Sequence, residues 1–564
     1  MTSLARILSF DNIIKNISIE KSIFWITAAL MFAAIIYPAS MAIHSAFFQD
    51  NIFTLIGFER ILELDTIVSD ISNTLIFSTG SMFGATIIGV SLAWVNARTD
   101  VPGAKAIEVF CVIPFFMSAF VGAIAWRLLF VPNAGMISMF LSNNGVPAIL
   151  LPDIYSLGSM VFIQSVFYSP FMYLYAVASF RQMDPTLEEI ARIHGAGNWN
   201  TFRKITLSVN GPALLSGMIL VFVMSVGTLE VPMALGSAGG NYVLSTRIWA
   251  LMNNMPQDVT AASALGMIAI LIAAIGIIIQ RRLLGNRKFT TVTGKGYKSK
   301  RISLGKWRWA VFTLAVIYIM FAVIMPVITL ILVALQKFWT GSFMLQFFTF
   351  DNFYTVLFEY DVTARAIKNS LFACSVAATI SVIFALILSQ IRSRNAEAFM
   401  GMLVLLPIVI PGAVFGMMVL FAFVKTPIYN TIYIIIFAYV IAYFYLAYRT
   451  IYSVRLSIHP ELEQSARIHG ANWFQSTRRI LTPLLKPGIV SAWLMSFILF
   501  IREFSSVMFL YRHGTEVMPV VFFMLMERHS ARLAAFMVIQ TAILLLIMII
   551  YQRFTSKNST GASF

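Results

Sequence analysis

The chain has 564 residues, of which 59% are hydrophobic and only 11% are charged, and its formal net charge at pH 7 is +16. The charged fraction is less than half of the usual share in soluble domains, which excludes a soluble globular protein. Between Arg281 and Arg308 the chain has ten basic residues and no acidic one. Basic clusters beside apolar segments are typical of the cytoplasmic side of membrane proteins, and they argue against nucleic-acid binding.

Runs of about twenty mostly apolar residues, the length that crosses a bilayer, recur along the whole chain. They predict an all-α integral membrane protein with twelve transmembrane helices, six in each half. The predicted spans cover residues 23–47, 72–97, 107–130, 157–180, 211–235, 262–281, 309–335, 367–391, 399–424, 428–452, 486–510 and 532–552. The stretch 136–151 is too short to span the bilayer, and we interpret it as re-entrant or interfacial.

The lysines and arginines predict a multi-pass protein of a bacterial-type inner membrane with both termini in the cytoplasm. Because each half has an even number of spans, the halves are predicted to be parallel repeats about an axis along the membrane normal. The predicted domains are 1–285 and 307–564, joined by a basic cytoplasmic linker at 286–306.

One short sequence occurs twice, since residues 191–196 (Ala-Arg-Ile-His-Gly-Ala) recur 275 positions later as residues 466–471. The surrounding segments, 184–212 and 459–487, each lie between two apolar spans, and we call them the repeated loops. Each repeated loop is predicted to contain a short helix that ends at a glycine. Small residues on that helix leave a surface that another protein can approach closely.

The first repeated loop carries Glu189-x-Ala191-x-x-x-Gly195, followed nine residues later by Ile205-x-Leu207. This spacing resembles the EAA loop of ABC importer permeases, and the resemblance implies the type I importer fold. It also implies that residues of both loops contact cytoplasmic ATPase subunits. The residues implied are Glu188, Glu189, Ala191, Gly195, Ile205, Glu463, Gln464, Ala466, Gly470 and Ile480.

The loops depart from the family pattern at Ser208, Gln464 and Thr482, where the family has Pro, Glu and Leu. Gln464 lacks the charge of Glu189, and the two docking contacts are therefore expected to be unequal. The sequence has no Gly-x-x-x-x-Gly-Lys-Ser/Thr phosphate loop, so the chain is predicted to be a transport subunit and not an enzyme. The chain itself is predicted to bind no cofactor. The resemblance implies two partner subunits that use ATP and Mg²⁺, and an extracytoplasmic substrate-binding protein.

Two carboxylates fall in equivalent apolar spans, Glu230 in the fifth and Glu503 in the eleventh. Intramembrane charge is costly and usually functional, and two hard oxygen donors suit a cation of high charge. We predict a substrate pathway with Glu230, Arg502, Glu503 and Ser505, in which Glu230 and Glu503 are candidate metal ligands. The alternative is local pairing, in which Arg502 neutralises Glu503 and Glu230 faces an outer vestibule.

The stretch from Arg502 to Ser506 (Arg-Glu-Phe-Ser-Ser) resembles the ferric-iron branch of this family, which implies ferric iron as the substrate. Permeases for phosphonate, thiamine and polyamines share the architecture, and an ion-coupled secondary transporter is a more distant alternative. Other residues that could bind metal are expected to be structural. They are Cys111 and Cys374 in the core, His194 and His469 on the surface, and the packed tyrosines Tyr429, Tyr433, Tyr439, Tyr443, Tyr445 and Tyr448.

Overall fold

A computed structural model describes residues 19–49, 52–147, 151–184, 186–284, 302–390 and 394–559. The described chain is almost entirely helical. Its one sheet is a hairpin in which β1 (Phe48–Gln49) pairs antiparallel with β2 (Ile52–Phe53).

The first half consists of long apolar helices interrupted by short helices at both ends of the bundle. They are α1 (Ile19–Phe47), α2 (Ile56–Leu62), α3 (Ile67–Arg98), α4 (Ala104–Phe116), α5 (Ala119–Phe130), α6 (Met136–Asn143), α7 (Leu157–Gln182), α8 (Thr186–Ile193), α9 (Asn198–Thr201), α10 (Leu207–Gly227), α11 (Leu244–Asn253) and α12 (Val259–Leu284).

The second half has a similar succession of long and short helices, and its first span is divided into two. They are α13 (Trp307–Ile319), α14 (Met325–Ala334), α15 (Asp351–Tyr354), α16 (Asp361–Leu388), α17 (Arg394–Val409), α18 (Gly412–Phe423), α19 (Ile432–Ser457), α20 (Glu461–Ile468), α21 (Trp473–Ser476), α22 (Thr482–Ile501), α23 (Val507–Leu510), α24 (Met518–Met526) and α25 (Ser530–Ser559).

Within the described residues, ten helices are long and apolar enough to cross a membrane, and two bent helix pairs raise the number to as many as twelve. The predicted fold class, an all-α membrane protein with two six-helix repeats, is confirmed. The predicted third span is wrong as a straight helix, whereas the ninth span is broken, as Pro407 and Pro411 predict from the sequence. Residues 107–130 fold as α4 and α5 with an angle of 97° between them, and residues 399–424 fold as α17 and α18 with an angle of 99°.

Extended backbone explains both bends. Met117 and Ser118 have ψ angles of 141° and 138°, which end α4 before Ser118 caps α5 by accepting a hydrogen bond from the Phe120 amide. In the second half Pro411 has ψ 138° and precedes the first residue of α18. A proline lacks the amide that a continuous helix requires, and Pro407 and Pro411 therefore favour a break at this point.

The predicted fifth and eleventh spans, 211–235 and 486–510, have the wrong limits. A π-helical turn, Phe202–Thr206, joins α9 to α10, so Pro212 lies inside a helix instead of opening it. The equivalent turn, Thr477–Leu481, joins α21 to α22. Both helices end early, at Gly227 and Ile501, because the chain then turns into the centre of the protein.

The segment 136–151 contains the eight-residue helix α6, and its residues 148–150 lie outside the described residues. Most of the predicted linker, 286–301, also lies outside them. The end of the linker is bound to α3, since Ile302 donates to the Arg98 carbonyl at 2.7 Å and Asp100 accepts from the Leu304 amide at 2.9 Å. The predicted domain limits stay a prediction.

The first helix of each half packs against the bent helix pair of the other half. The Tyr37 hydroxyl on α1 donates to the Ala422 carbonyl on α18 at 3.1 Å. In the reciprocal contact, the rings of Phe321, between α13 and α14, and Trp126, on α5, have centroids 5.9 Å apart. The two halves are therefore interlocked and do not form separate bundles.

Candidate transport pathway and docking surfaces

The helices of the repeated loops, α8 and α20, have eight residues each and end in the same way. Gly195 and Gly470 have φ angles of 82° and 83°, in the left-handed region that favours glycine. The amide of Ala196 donates to the Ala191 carbonyl at 3.0 Å, which closes a Schellman motif. The Ala471 amide donates to the Ala466 carbonyl in the same way, also at 3.0 Å. The prediction that each repeated helix ends at a glycine is confirmed, and the positive φ angle explains why the residue is glycine.

The repeated histidines complete these helix ends. A ring nitrogen of His194 lies 2.9 Å from the Ile190 carbonyl, and one of His469 lies 2.8 Å from the Ser465 carbonyl. Each of these carbonyls also accepts the backbone amide of the same histidine at 3.1 Å, so the ring contact adds to a hydrogen bond that the helix already forms. The sequence predicts surface positions for both histidines, and the structure adds a contact within each repeated helix.

The acidic residues of the repeated loops point in two directions. Glu188 is buried and forms an ion pair with Arg98, with 2.7 Å between the Nη2 and Oε2 atoms. Glu463 forms the corresponding pair with Arg455 at 2.6 Å. These two carboxylates hold α8 and α20 against the transmembrane helices.

The two ion pairs bind the repeated helices to different parts of the bundle. Arg98 is the last residue of α3, whereas Arg455 lies near the end of α19. The first carboxylate also accepts a hydrogen bond of 2.6 Å from the Thr206 hydroxyl, and the corresponding position of the second loop is occupied by Leu481. The two repeated loops therefore have similar sequences but make different contacts with the rest of the protein.

The outer faces of α8 and α20 are exposed. Glu189, Gln464, Gly195 and Gly470 all lie on this side, and no protein atom lies within 4 Å of a Cβ built at either glycine. Large apolar side chains accompany them in an exposed patch on each loop. These are Leu187, Ile190, Ile193 and Trp199 in the first loop, and Leu462, Ile468 and Phe474 in the second. Ala191, Ala466, Ile205 and Ile480 are half-buried.

A cavity of about 130 Å³ lies where the interrupted helices of the two halves meet. Backbone approaches backbone at this point, since a Cβ added to Gly227 would lie 2.5 Å from the Gly412 nitrogen. The four residues that the sequence predicts for the substrate pathway all line the cavity. They are Glu230, Arg502, Glu503 and Ser505, and the structure adds Tyr168, Tyr443, Tyr445 and Ser506.

Glu503 accepts hydrogen bonds on both carboxylate oxygens. Oε1 accepts from the Ser506 amide at 2.7 Å and from the Ser506 hydroxyl at 2.9 Å, and the Tyr443 hydroxyl donates to Oε2. Tyr439 lies one turn away on α19 and stacks against Phe500 with 5.2 Å between ring centroids. Packing is thus the right interpretation for Tyr439, whereas Tyr443, which the sequence predicts to be a packing residue, belongs to the polar site.

Arg502 does not form an ion pair with Glu503 within 4.0 Å in the described chain. Its guanidinium donates to the Phe115 carbonyl and lies 5.4 Å from the centroid of the Phe115 ring. Ser505 also makes a contact between the halves, because its hydroxyl accepts a 3.0 Å hydrogen bond from the Leu229 amide. Direct neutralisation of Glu503 by Arg502, one part of the local-pairing alternative, is therefore wrong in this conformation.

Glu230 is buried and lines the same cavity, and it belongs to the other half of the protein. The two carboxylates do not occupy equivalent positions. They are 273 residues apart, whereas the repeated loops are 275 residues apart. Among the described residues no group of three or more His, Cys, Asp and Glu side chains has metal-binding geometry. A ligand set here would consist of carboxylate, phenol and hydroxyl oxygens.

At the end of the bundle away from the repeated loops, matching hydrogen bonds fix the segments that follow the interrupted helices. Asn73 donates to the Tyr242 carbonyl at 3.1 Å, and Asn369 donates to the Glu516 carbonyl at 2.9 Å. The hydroxyls of the next residues, Thr74 and Ser370, each accept a backbone amide at 2.8 Å. The Asn-Thr-Leu and Asn-Ser-Leu sequences thus form equivalent clamps.

An ion pair lies beside each clamp, and the acidic and basic partners exchange places between the two halves. In the first half the acid is on the long helix, with Asp70 on α3 and Arg247 on α11 at 2.6 Å. In the second half Arg365 on α16 pairs with Glu516 at 3.0 Å. Burial acts to raise the pKa of Glu516, but hydrogen bonds from Arg365 and the Gly514 amide outweigh it and hold this pKa below its ordinary value.

Two interlocked six-helix halves, a polar cavity at their junction and one exposed docking loop per half define a membrane permease that works with partner subunits. The sequence model of binding-protein-dependent transport system inner membrane components matches residues 85–288 and again residues 381–559. Since these matches cover more than half of the chain, the protein belongs to this family. It is a permease subunit of a binding-protein-dependent ABC importer of the inner membrane and not an enzyme.

Relatives in this family differ in the substrate that their names give. A Haemophilus influenzae protein provisionally named a ferric transport system permease is 25% identical over 518 residues, covering 87% of this chain and 78% of the relative. A ferric transport system permease protein of Actinobacillus pleuropneumoniae is 24% identical over 505 residues, covering 86% and 71%. A Salmonella typhimurium protein provisionally named a 2-aminoethylphosphonate transport permease is 25% identical over 249 residues, covering 43% and 92%.

Proposed function

We propose that this permease imports ferric iron, which an extracytoplasmic binding protein delivers and two cytoplasmic ATPase subunits drive inward. The observation that carries the proposal is the lining of the central cavity. Glu230 and Glu503 approach it from opposite halves, and Tyr443 adds a phenol oxygen hydrogen-bonded to Glu503. Carboxylate and phenolate oxygens are hard donors and suit a small cation of high charge.

The charge of the lining favours a metal ion over an anionic solute. The cavity measures about 130 Å³, which is below the range of about 300–1,000 Å³ for pockets that enclose drug-sized organic ligands. The lining has two carboxylates and a single guanidinium, from Arg502, which donates to the Phe115 carbonyl through Nη1. A phosphonate would need several free cationic donors.

The repeated loops supply the contact with the ATPase subunits. Each loop exposes an apolar patch around a glycine with no neighbouring protein atom, and each is bound to the bundle by a buried ion pair. Two loops imply two ATPase subunits, and they imply that the loops and both termini face the cytoplasm. Closure of the ATPase dimer would move α8 and α20, and the ion pairs would pass that movement to α3 and α19.

Ferric iron uptake into proteoliposomes tests this proposal. The complete system of permease, ATPase subunits and binding protein is reconstituted, and uptake of labelled ferric iron is measured with ATP inside the vesicles. We expect saturable, ATP-dependent uptake that Glu503→Gln and Glu230→Gln each reduce at least tenfold while the ATPase subunits stay bound. The interaction that these variants remove is a charge-assisted contact, which is worth more than about 1.5 kcal/mol.

The matched pair Tyr443→Phe and Tyr439→Phe separates a role in transport from a role in packing. Both tyrosines are on α19 and both pack against Phe500, but only Tyr443 is hydrogen-bonded to Glu503 among the described contacts. We expect slower iron uptake in Tyr443→Phe alone. Equal uptake in both variants, or uptake of 2-aminoethylphosphonate in place of iron, would contradict the iron proposal and leave the family assignment intact.

A further inference from the structure

A large apolar groove lies outside the transport pathway, beside the first repeated loop. Its volume is about 1,030 Å³, at the top of the range for pockets that hold drug-sized ligands. Three elements from both halves form its walls. They contribute Ile87 and Leu92 of α3, Trp307 and Leu314 of α13, and Trp199 and Phe202 of the first repeated loop.

Both tryptophans are largely exposed, Trp199 by 70% and Trp307 by 75%. Tryptophan is enriched where the hydrocarbon core of a membrane meets the headgroup layer, because its ring is apolar and its N–H is polar. The groove runs from this level toward the hydrocarbon, along Leu314 on α13 and Ile87 on α3, which are also exposed. Its walls thus have the polarity of a membrane leaflet, from interface to interior.

Four exposed basic residues flank the two tryptophans, and we call them the basic rim. They are Arg203 and Lys204, directly after Phe202, and Lys306 and Arg308, on both sides of Trp307. The acid beside them is Asp100, whose carboxylate already accepts from the Leu304 amide at 2.9 Å and the Ser303 hydroxyl at 3.1 Å. The rim therefore has a clear excess of positive charge over an apolar groove.

We propose that this groove binds one anionic phospholipid of the cytoplasmic leaflet, with an acyl chain between α3 and α13 and the headgroup on the basic rim. Basic pockets between transmembrane helices on the cytoplasmic side recognise anionic headgroups. The apolar walls explain why the occupant has a hydrocarbon chain, and the rim explains why its headgroup is negative. The side of the membrane follows from the proposed orientation of the repeated loops.

The position of the site gives the lipid a structural role. α3 ends at Arg98, whose guanidinium holds Glu188 of the first repeated helix, and α13 is the first helix of the second half. The Tyr318 hydroxyl at the inner end of the groove lies 2.9 Å from that of Ser169 on α7. A lipid in the groove would therefore contact both halves and the loop that docks the ATPase.

Native mass spectrometry of the purified permease–ATPase complex tests the proposal without measuring transport. The probes are palmitoyl-oleoyl phosphatidylglycerol and the phosphatidylcholine with the same acyl chains. We expect the complex to bind phosphatidylglycerol in preference to phosphatidylcholine. Lys306→Gln with Arg308→Gln should weaken binding of phosphatidylglycerol on the order of tenfold and leave that of phosphatidylcholine unchanged. Arg281→Gln with Arg282→Gln, at the exposed end of α12, removes the same charge away from the groove and should change neither.

Ser91→Trp fills the groove from α3 and should weaken the binding of both lipids. Leu271→Trp introduces the same side chain on the exposed face of α12 and is its control. The proposal is wrong if wild-type protein binds the two lipids equally, if both charge variants behave alike, or if Ser91→Trp retains the lipid. Lipid binding is measured without any transported substrate. A negative result for the lipid therefore does not bear on the iron proposal, and a negative result for iron transport does not bear on the lipid proposal.

Discussion

Arg98 and Glu188 form a buried ion pair that joins the end of α3 to the first repeated helix, with 2.7 Å between the nearest atoms. The second repeated helix has the corresponding carboxylate, Glu463, but its partner is Arg455 of α19. The described ion pairs of two loops with nearly the same sequence thus involve different transmembrane helices.

Removing one partner of this pair should be far worse than removing both. Arg98→Leu leaves the Glu188 carboxylate buried without its guanidinium, and breaking a buried pair in this way costs about 3–5 kcal/mol. Arg98→Leu combined with Glu188→Leu should recover most of the lost stability. Thermal unfolding of the purified chain measures the three variants. Additive losses in the double variant would show that the two residues do not act as a pair.

A side chain at either glycine that ends a repeated helix should destabilise the helix end, because the backbone there has a positive φ angle. Gly195→Ala must adopt the left-handed region, which costs about 1–2 kcal/mol, although no neighbouring atom obstructs the new methyl group. A free-energy loss of this size corresponds to roughly 5–30-fold faster hydrogen exchange at the amides that close the helix.

Gly197→Ala is the control for this experiment. That glycine also has open space around it, but its φ angle lies outside the left-handed region. We expect its exchange rates to match those of the wild-type protein. If Gly197→Ala accelerates exchange as much as Gly195→Ala does, the argument from backbone conformation fails.

The docking contacts of the two loops should respond differently to charge. Glu189 and Gln464 occupy the same exposed position on α8 and α20, but only Glu189 can form an ion pair with a basic residue of the ATPase. We expect Glu189→Gln to lower the ATPase rate stimulated by the loaded binding protein, and Gln464→Glu to leave it unchanged or raise it. Changes of equal size and sign at both positions would refute this asymmetry.

Acid should weaken the clamp of the second half through Glu516. The folded protein holds the pKa of Glu516 below its ordinary value of about 4.5, so the unfolded chain binds the proton more readily. The stabilising contribution is therefore complete above about pH 4.5 and is lost as the pH falls through the folded pKa. In Glu516→Gln this dependence disappears, and its difference in melting temperature from wild type should shrink between pH 7 and pH 3.5.

Glu527→Gln removes a carboxylate from an exposed position in the same region and serves as the control for that series. Melting temperatures of all three proteins are compared at each pH in the same detergent. A difference between wild type and Glu516→Gln that stays constant down to pH 3.5 would exclude the Arg365–Glu516 pair as its source.

The sequence is sufficient to predict the twofold repeat, the membrane class and the glycine ends of the repeated helices. These features depend on local composition and on short sequences that occur once in each half, as do those that begin at Asn73 and Asn369 in the two clamps. The residues of the predicted pathway also meet at one cavity, since the two halves place equivalent helices side by side.

Other features depend on contacts between distant segments, which a hydropathy pattern does not contain. The bend at Ser118 leaves the surrounding residues as apolar as those of a straight span, whereas the prolines mark the bend at Pro411 in the sequence. Tyr443 is one of six tyrosines in the tenth predicted span, and only the position of Glu503 on another helix distinguishes it. The different partners of Glu188 and Glu463 likewise follow from tertiary packing.

The exchange of first helices between the halves has a consequence for biosynthesis. While the ribosome is still translating residue 300, α5 has no Phe321 to pack against, and the groove on the first half is open to lipid. Folding of the first half can therefore be completed only after α13 and α14 have entered the membrane. A chain that stops before Phe321 would leave Trp126 of α5 without this ring to pack against.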